Sequence, residues 1–556
     1  MSDLAATSQV KAARREAYSR LGGLTRLGLF WAVMATAAGV YSQSRFWTQP
    51  SAGDRANWDY FAQVIARGGV PYRDVVNIKS PLSAYIGAAS IMAARPFGLR
   101  DVLAIRFTFI LLAALTVALT FLIALEYLGS RATALLAATI MLTFSAFARL
   151  NGGGTQPKTP MVLFGLITLW AIIKDGPFVA GLFGMLSALS WQPGLLFVGA
   201  AGLAFSRYLT SWRDLKAAKV VAGAAVPLAA MLMYFWAAGA IREFYLWNIH
   251  FNATVYGPNE MRPLSSFVNR LAKMLAGTYH NGRFYFYLAA PGLLLLLWRE
   301  AKLARAGGRR GLLAAAPRHA LIIAPVVYFL FCMIDIQGGA DLIPLLPFVA
   351  VFAAAALLFA LGQAASFAAR ARPDLNPANV MAWASGMACA FILALAVGDT
   401  FSRERDLTLQ DQDAKVRDIV SQLEPGDKIF VHGQTEILVL SGLTNASKYF
   451  LLDRGKDAYL DVVEEGGFKG WLQRLKAERP RIVALDRLKS LGHMDELRDW
   501  VEAEYEARDD GTFRYYVRKD GVSMREPAGR LRLAVSAQVC GHTSDTDAAR
   551  PLTVAR

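Results

Sequence analysis

Three cysteines among 556 residues exclude a disulfide framework, and two of them, Cys332 and Cys389, lie inside apolar runs, where cysteine behaves as a small hydrophobe. Six scattered histidines show no His-x-x-x-His spacing and no Cys-x-x-Cys pair accompanies them, so a zinc site has no signature; any metal would be a hard ion on carboxylates. Charged residues are only 18% of the chain against 55% hydrophobic ones. That balance, with a mean hydropathy of +0.33, is too apolar for an ordinary soluble protein of this length and fits a membrane-embedded one. The chain also has no internal repeat and no low-complexity tract beyond alanine-rich stretches. A formal charge of +16 would suit nucleic acid, but the cations stand between apolar runs rather than on one polar domain. Positive-inside topology and anionic lipid account for them better, and nucleic acid is not an expected partner.

What is present is a series of apolar runs punctuated by basic loops. A polar, basic segment over 1–25 precedes a run at 27–41, which reads as an uncleaved first membrane helix with a cytoplasmic N-terminus; Ala35-Thr36-Ala37 imitates a signal-peptidase site after an overlong polar region. Further runs at 102–125, 132–148, 160–173, 178–190, 195–210, 220–240, 284–298, 320–334, 342–362 and 380–398 alternate with Lys/Arg clusters. The expected fold class is an α-helical polytopic membrane protein of about eleven transmembrane helices, with a C-terminal extracytoplasmic α/β domain. The three runs between 160 and 210 are short for spanning, which suits helices lining a protein-walled cavity. The expected organisation is a cytoplasmic tail over 1–25, a membrane domain over 26–400 with long outer loops at 45–101 and 241–282, an α/β domain over 401–520, and a tail over 521–556. In the α/β domain, strands are expected at 428–433, 448–452, 481–486 and 513–517, with helices near 412–423, 457–477 and 494–504.

The richest stretch is Gly53 to Leu82, GDRANWDYFAQVIARGGVPYRDVVNIKSPL. It runs from an acid through an amphipathic helix and a Gly-Gly turn to Pro-Tyr-Arg-Asp and Lys-x-Pro-Leu. On residues alone, Asp54 is a helix cap or a solvated loop acid, and Lys79 a lysine snorkelling at a helix end. Asp59, five positions on, falls about 140° round the helix from Asp54 and reads as a supporting residue or surface charge. Arg73 and Asp74 can pair, and Tyr72 is an interfacial aromatic. A second small loop, Arg149 to Lys158, faces the same side and contains Gly152-Gly153-Gly154-Thr155-Gln156-Pro157. The later loop carries Arg242, Arg262, Arg270 and Lys273 among tyrosines and a tryptophan.

The order of the first loop resembles that of the C-class glycosyltransferases, polytopic enzymes that take sugars from polyprenyl-phosphate carriers; in pattern it is nearest the protein O-mannosyltransferases and the aminoarabinose transferases. Asp54 lies fourteen positions before Gly68, where the family's opening acid stands relative to its Gly-x-Pro-Tyr turn, and Lys79-Ser80-Pro81-Leu82 matches the closing Lys-Pro-Pro-Leu. Arg55 replaces the second acid of the family's Asp-Glu, Ser80 replaces a proline, and Gln156-Pro157-Lys158 stands where relatives often place a metal-binding acid. The resemblance implies inverting transfer from a polyprenyl-phosphate sugar to an extracytoplasmic acceptor, with Asp54 as base and Lys79 on the donor phosphate. Arg73, Tyr72, Lys158, Arg242 and Arg262 are further phosphate or sugar candidates. No cofactor is expected, and a metal-independent site follows from the amide and lysine of the second loop. The implied location is the plasma (inner) membrane. Two readings from other classes stay open: a transporter or flippase of lipid-linked glycans or solutes, and an inactive relative that binds lipid-linked sugar.

Overall fold

The computed structural model describes residues 25–206, 215–257, 263–314, 316–372, 376–401, 407–486 and 493–519. The predicted tail over 521–556 and Arg262 lie outside them. Apolar side chains on every face leave the long helices no choice but to bury against one another or against lipid. Four helices are long and apolar enough to cross a membrane: Asp101–Leu128, Lys216–Ala237, Gly339–Ala371 and Pro377–Gly398. The pair Arg131–Leu142 and Ser145–Gly152, bent by 57°, makes a fifth if it counts as one span. Lys158–Ile173, Pro177–Ser190, Gln192–Phe205 and His319–Ile334 are apolar but shorter. These helices share one apolar core, in which Ala113, Val117, Phe121, Ala137, Met161, Leu166, Ala350 and Ala353 are buried.

The segment 45–101, expected as a loop, holds two helices of 13 residues each, Asp54–Ala66 and Leu82–Ala94. The second starts immediately after Pro81, which supplies no N–H to satisfy and fixes φ for entry into the helix. Between them the chain turns through Gly68 and through Tyr72, whose φ of 68° is a left-handed conformation unusual for a side chain of that size.

Residues 409–518 form a four-stranded sheet with helices against it. The strands β1 (Ile429–His432), β2 (Ile482–Leu485), β3 (Tyr505–Asp509) and β4 (Arg514–Arg518) lie in the order β1-β2-β4-β3. β1 and β2 are parallel, Phe430 opposite Val483, and β3 and β4 form an antiparallel hairpin through Gly511. Two expectations change here. Residues 448–452 are not a strand: the Lys448 carbonyl accepts from the Val76 N–H and the Phe450 carbonyl from the Gly433 N–H, so two different partners replace a ladder. β3 was not expected, because an edge strand reading Tyr-Glu-Ala-Arg-Asp buries only its tyrosine. The helix predicted over 457–477 is two, Lys456–Val463 and Gly467–Ala477, broken where Gly466 and Gly467 take φ of 72° and 61°.

The first loop lies between the membrane helices and this sheet layer and supplies side chains to both cores beneath it. Val70, Tyr72, Val76 and Ile78 pack with Phe235, Phe244, Trp247 and Phe251, and that same cluster runs on to Tyr449, Tyr459 and Trp471. Trp58, Tyr60, Phe61 and Val75 pack with Ile437, Leu438, Phe450 and Ile482. Polar contacts fix the register: the Tyr60 hydroxyl accepts from the Asn445 N–H at 2.9 Å, Thr435 bonds Asn57, and the Leu409 N–H donates to the Thr48 carbonyl.

Candidate active site

Lys79 is held by its backbone before its ammonium does anything. The Ile78 carbonyl accepts from the Gln192 amide at 3.0 Å and from the Asn252 amide at 2.6 Å. The Lys79 carbonyl accepts from the Tyr72 hydroxyl at 2.7 Å, and the Lys79 N–H donates to Asn77 Oδ1. Asn252 reaches this far because residues Tyr245–His250 and Asn252–Tyr256 coil as π-helix, a widened turn that re-aims the side chains after it. Tyr256 ends that coil, and the Lys79 Nζ sits 4.2 Å from the centre of its ring and 5.9 Å from that of Trp191. Among the described residues the ammonium makes these ring contacts and no hydrogen bond or ion pair. Burial, then the Lys158 and Arg454 charges, pull it down to about 8, opposed by Asp335 and Asp341.

Lys158 approaches from the second loop. Its Nζ lies 4.5 Å from the Trp191 ring centre and 3.0 Å from Asp341 Oδ1, with both side chains largely buried. Asp341 is itself fixed by the N–H groups of Gln337 and Gly338, each at 2.8 Å from its Oδ2. The Gln337 amide bridges the Tyr256 hydroxyl at 2.6 Å and Asp335 Oδ1 at 2.7 Å. The Lys-x-Pro-Leu and Gln-Pro-Lys elements are thus brought to one place, and Ser83 Oγ ties them further by donating to the Ser190 carbonyl at 3.1 Å. Trp191, Gln192, Asp335, Gln337 and Asp341 were not expected at the site. Trp191-Gln192-Pro193 reads in sequence only as a break between short apolar runs, and Asp335 to Asp341 only as a turn.

The other predicted residues fall elsewhere. Tyr72 is fully enclosed, its ring against Phe61, Phe235 and Phe244, and it offers its hydroxyl to the Lys79 carbonyl rather than a face to a ligand. Arg73 pairs with Asp74 through two bonds of 2.9 Å and donates to the Ala238 carbonyl, with nearly half of its side chain exposed. Arg242 is exposed on the short helix Ile241–Phe244, and Arg270 donates to the Ile336 carbonyl. Asp54 is exposed in the first turn of its helix, after Gly53, whose N–H donates to Glu436 Oε1 at 2.8 Å.

Asp59 is no surface charge: it is completely buried, and its Oδ1 accepts from the Thr155 N–H at 2.7 Å. Burial lifts its carboxyl to about 6, against the opposing pull of Thr155, Arg106 and Arg55. The three glycines of the second loop make this contact possible. A Cβ on Gly154, whose φ is 134°, would stand 2.4 Å from Asp59 Oδ2, and one on Gly153 would stand 2.6 Å from Arg55 Nε. Arg55, in place of the family's second acid, therefore packs its guanidinium against the second loop. Among the described residues no three His, Cys, Asp or Glu side chains gather as a metal cluster.

No family model matches this sequence, and neither does any curated protein. Among solved structures, the chain is similar to ArnT from Cupriavidus metallidurans in the apo state, with a TM-score of 0.56 and 13% identity over 91% of this chain and 100% of that one. ArnT from the same organism bound to undecaprenyl phosphate aligns with a TM-score of 0.53 and 13% identity, over 90% of this chain and 99% of that one.

Proposed function

We propose, for a chain whose fold is that of the C-class glycosyltransferases, that it transfers a sugar from a polyprenyl-phosphate donor to an acceptor outside the membrane, by inversion and without a metal. The observation that carries the reading is the Lys79 ammonium, rigidly mounted on two aromatic rings with no anion of the protein bonded to it. A cation kept in that state is a site for an external anion, and a phosphate at the mouth of the membrane helices is the anion such a lipid brings. Lys158 supplies a second positive charge on the same tryptophan. The ArnT structure bound to undecaprenyl phosphate supports this choice of ligand by fold likeness.

In the proposed reaction the acceptor hydroxyl oxygen attacks the anomeric carbon as the bond from that carbon to the phosphate oxygen breaks. The bonding pair leaves on the phosphate, where Lys79 and Lys158 meet the charge as it develops, and the hydroxyl proton passes to Asp54. Asp54 is exposed and so open to an acceptor. Arg73, Arg242 and Arg262 are proposed as outlying contacts for donor or membrane phosphates rather than for the leaving group. The proposed orientation has the two loops and the sheet layer on the extracytoplasmic side of the plasma membrane and the N-terminus in the cytoplasm.

The test is sugar transfer in reconstituted vesicles by the wild type and by Asp54→Asn. The expected result is that the variant binds donor as tightly as the wild type and transfers at least a hundredfold more slowly. Full transfer by Asp54→Asn would remove Asp54 from the reaction.

A further inference from the structure

The sheet layer reaches into the lysine site through one residue. Arg454 follows β1 and the irregular 448–452 segment, in a left-handed backbone conformation with φ of 60°, directly before Gly455, also left-handed at 82°. Two successive residues of that hand form a sharp turn that projects the first side chain away from the layer's own core. Asp453 beside it is bound on the layer's side, 2.7 Å from Lys456 Nζ, so the turn is anchored from behind. The guanidinium carbon stands 5.6 Å from the centre of the Tyr256 ring, and Nη1 donates to the Tyr256 hydroxyl at 3.3 Å. Tyr256 is the ring on which Lys79 rests. One tyrosine therefore has two cations on it, from chain positions hundreds of residues apart.

Two like charges gathered on one ring repel, and a protein of this stability gains nothing by building such a pair without an anion to bind between them. We infer that Arg454 is a phosphate ligand of the donor site, so that the lipid phosphate is closed in by Lys79 from the first loop and Arg454 from the sheet layer. This rests on the reading of the site as a polyprenyl-phosphate site. It gives the layer a part in donor binding: the site is complete only when the layer is docked on the first loop. Arginine suits the position because its planar fork meets two phosphate oxygens while its face stays on the tyrosine.

The experiment measures binding of undecaprenyl phosphate to the full chain in nanodiscs, with phosphatidylglycerol as a phosphodiester control, for the wild type, Lys79→Gln, Arg454→Gln and Arg454→Lys. The expected result is saturable binding of the monoester by the wild type, a loss of at least tenfold for Lys79→Gln and for Arg454→Gln, and partial recovery for Arg454→Lys. A second readout separates ligand from scaffold. Removing the Arg454 charge relieves Lys79 of one repulsive neighbour, so the alkaline limit of binding moves to higher pH in Arg454→Gln and stays in place in Arg454→Lys. Wild-type affinity in Arg454→Gln while Lys79→Gln is impaired overturns the inference and leaves the donor reading standing. A weakened Arg454→Gln with an unmoved alkaline limit also overturns it, leaving Arg454 as packing. Absence of monoester binding by the wild type, or equal binding of phosphatidylglycerol, overturns both.

Discussion

An ammonium that rests on aromatic rings and touches no carboxylate stays available, and its charge depends on pH. The Lys79 ammonium binds an anion only while protonated, and its neighbours hold it at about 8 in the unliganded protein. Donor affinity is therefore expected to be level on the acid side of 8 and to fall about tenfold per unit above it, a limb that Lys79→Gln abolishes; a Kd series between pH 7 and 10 checks this. Asp59 gives the opposite kind of signal, in stability rather than binding. Its carboxyl is raised to about 6 in the folded protein against about 4 in an unfolded chain, so the folded state holds the proton more tightly. Stability from this group is fully present below about 4, falls by roughly 2 kcal/mol as pH rises to 6, and is level beyond. Melting of Asp59→Asn in detergent across that range is expected to lack this fall. Gly154→Ala places a methyl against the same carboxylate in a backbone conformation that alanine resists, and is expected to cost about 1–3 kcal/mol in the same melting assay.

At the scale of elements, the Gly53–Leu82 stretch works as a mount. Tyr72 takes a strained conformation at the turn, packs its ring in the core, and spends its hydroxyl on the Lys79 carbonyl. Tyr72→Phe keeps the packing and loses that bond, about 1 kcal/mol of local order, so a several-fold rise in donor KM with the fold retained is the expected outcome in steady-state kinetics. Much of this was legible in the sequence. The acid, the Gly-Gly turn, Pro-Tyr-Arg-Asp and Lys-x-Pro-Leu are turn and helix signals close together in the chain, and they mark the loop correctly as the centre of the molecule. The helices of the sheet layer were legible by the same means, since Leu409–Val420 carries its Thr408 cap and Met494–Glu504 its period. What period and propensity cannot read is where a carbonyl is spent. Residues 448–452 are apolar enough for a strand, yet Val76 and Gly433 take their carbonyls singly, and the charged face of Tyr505–Asp509 hid an edge strand.

At the scale of the whole molecule, the site is made of parts that are distant in sequence. Lys79 and Lys158 carried family motifs, so each was legible; Trp191, Tyr256, Asp341 and Arg454 carry none and become neighbours only through packing. Asp59 was misjudged as a possible surface charge for the same reason, because what covers it is a loop about a hundred residues later. The first loop donates aromatic side chains to cores on both of its faces, so the sheet layer and the membrane helices are not separable around it. A chain ended after residue 401 would leave Trp58, Tyr60 and Phe61 uncovered, and it is expected to aggregate on size-exclusion chromatography and to lose donor binding. A monodisperse truncated chain that still binds donor would show the layer to be dispensable.

Transfer and transport differ in what becomes of the bond between sugar and phosphate. The deciding measurement supplies a doubly labelled polyprenyl-phosphate sugar to vesicles containing the wild-type protein and follows both labels, with a mixture of lipid, glycan and peptide acceptors outside. The account predicts that the sugar label passes to an acceptor while the lipid label is recovered as polyprenyl phosphate in equal amount, and that Lys79→Gln stops both. An intact labelled donor that has merely changed leaflet would contradict it and make the protein a carrier of lipid-linked sugar.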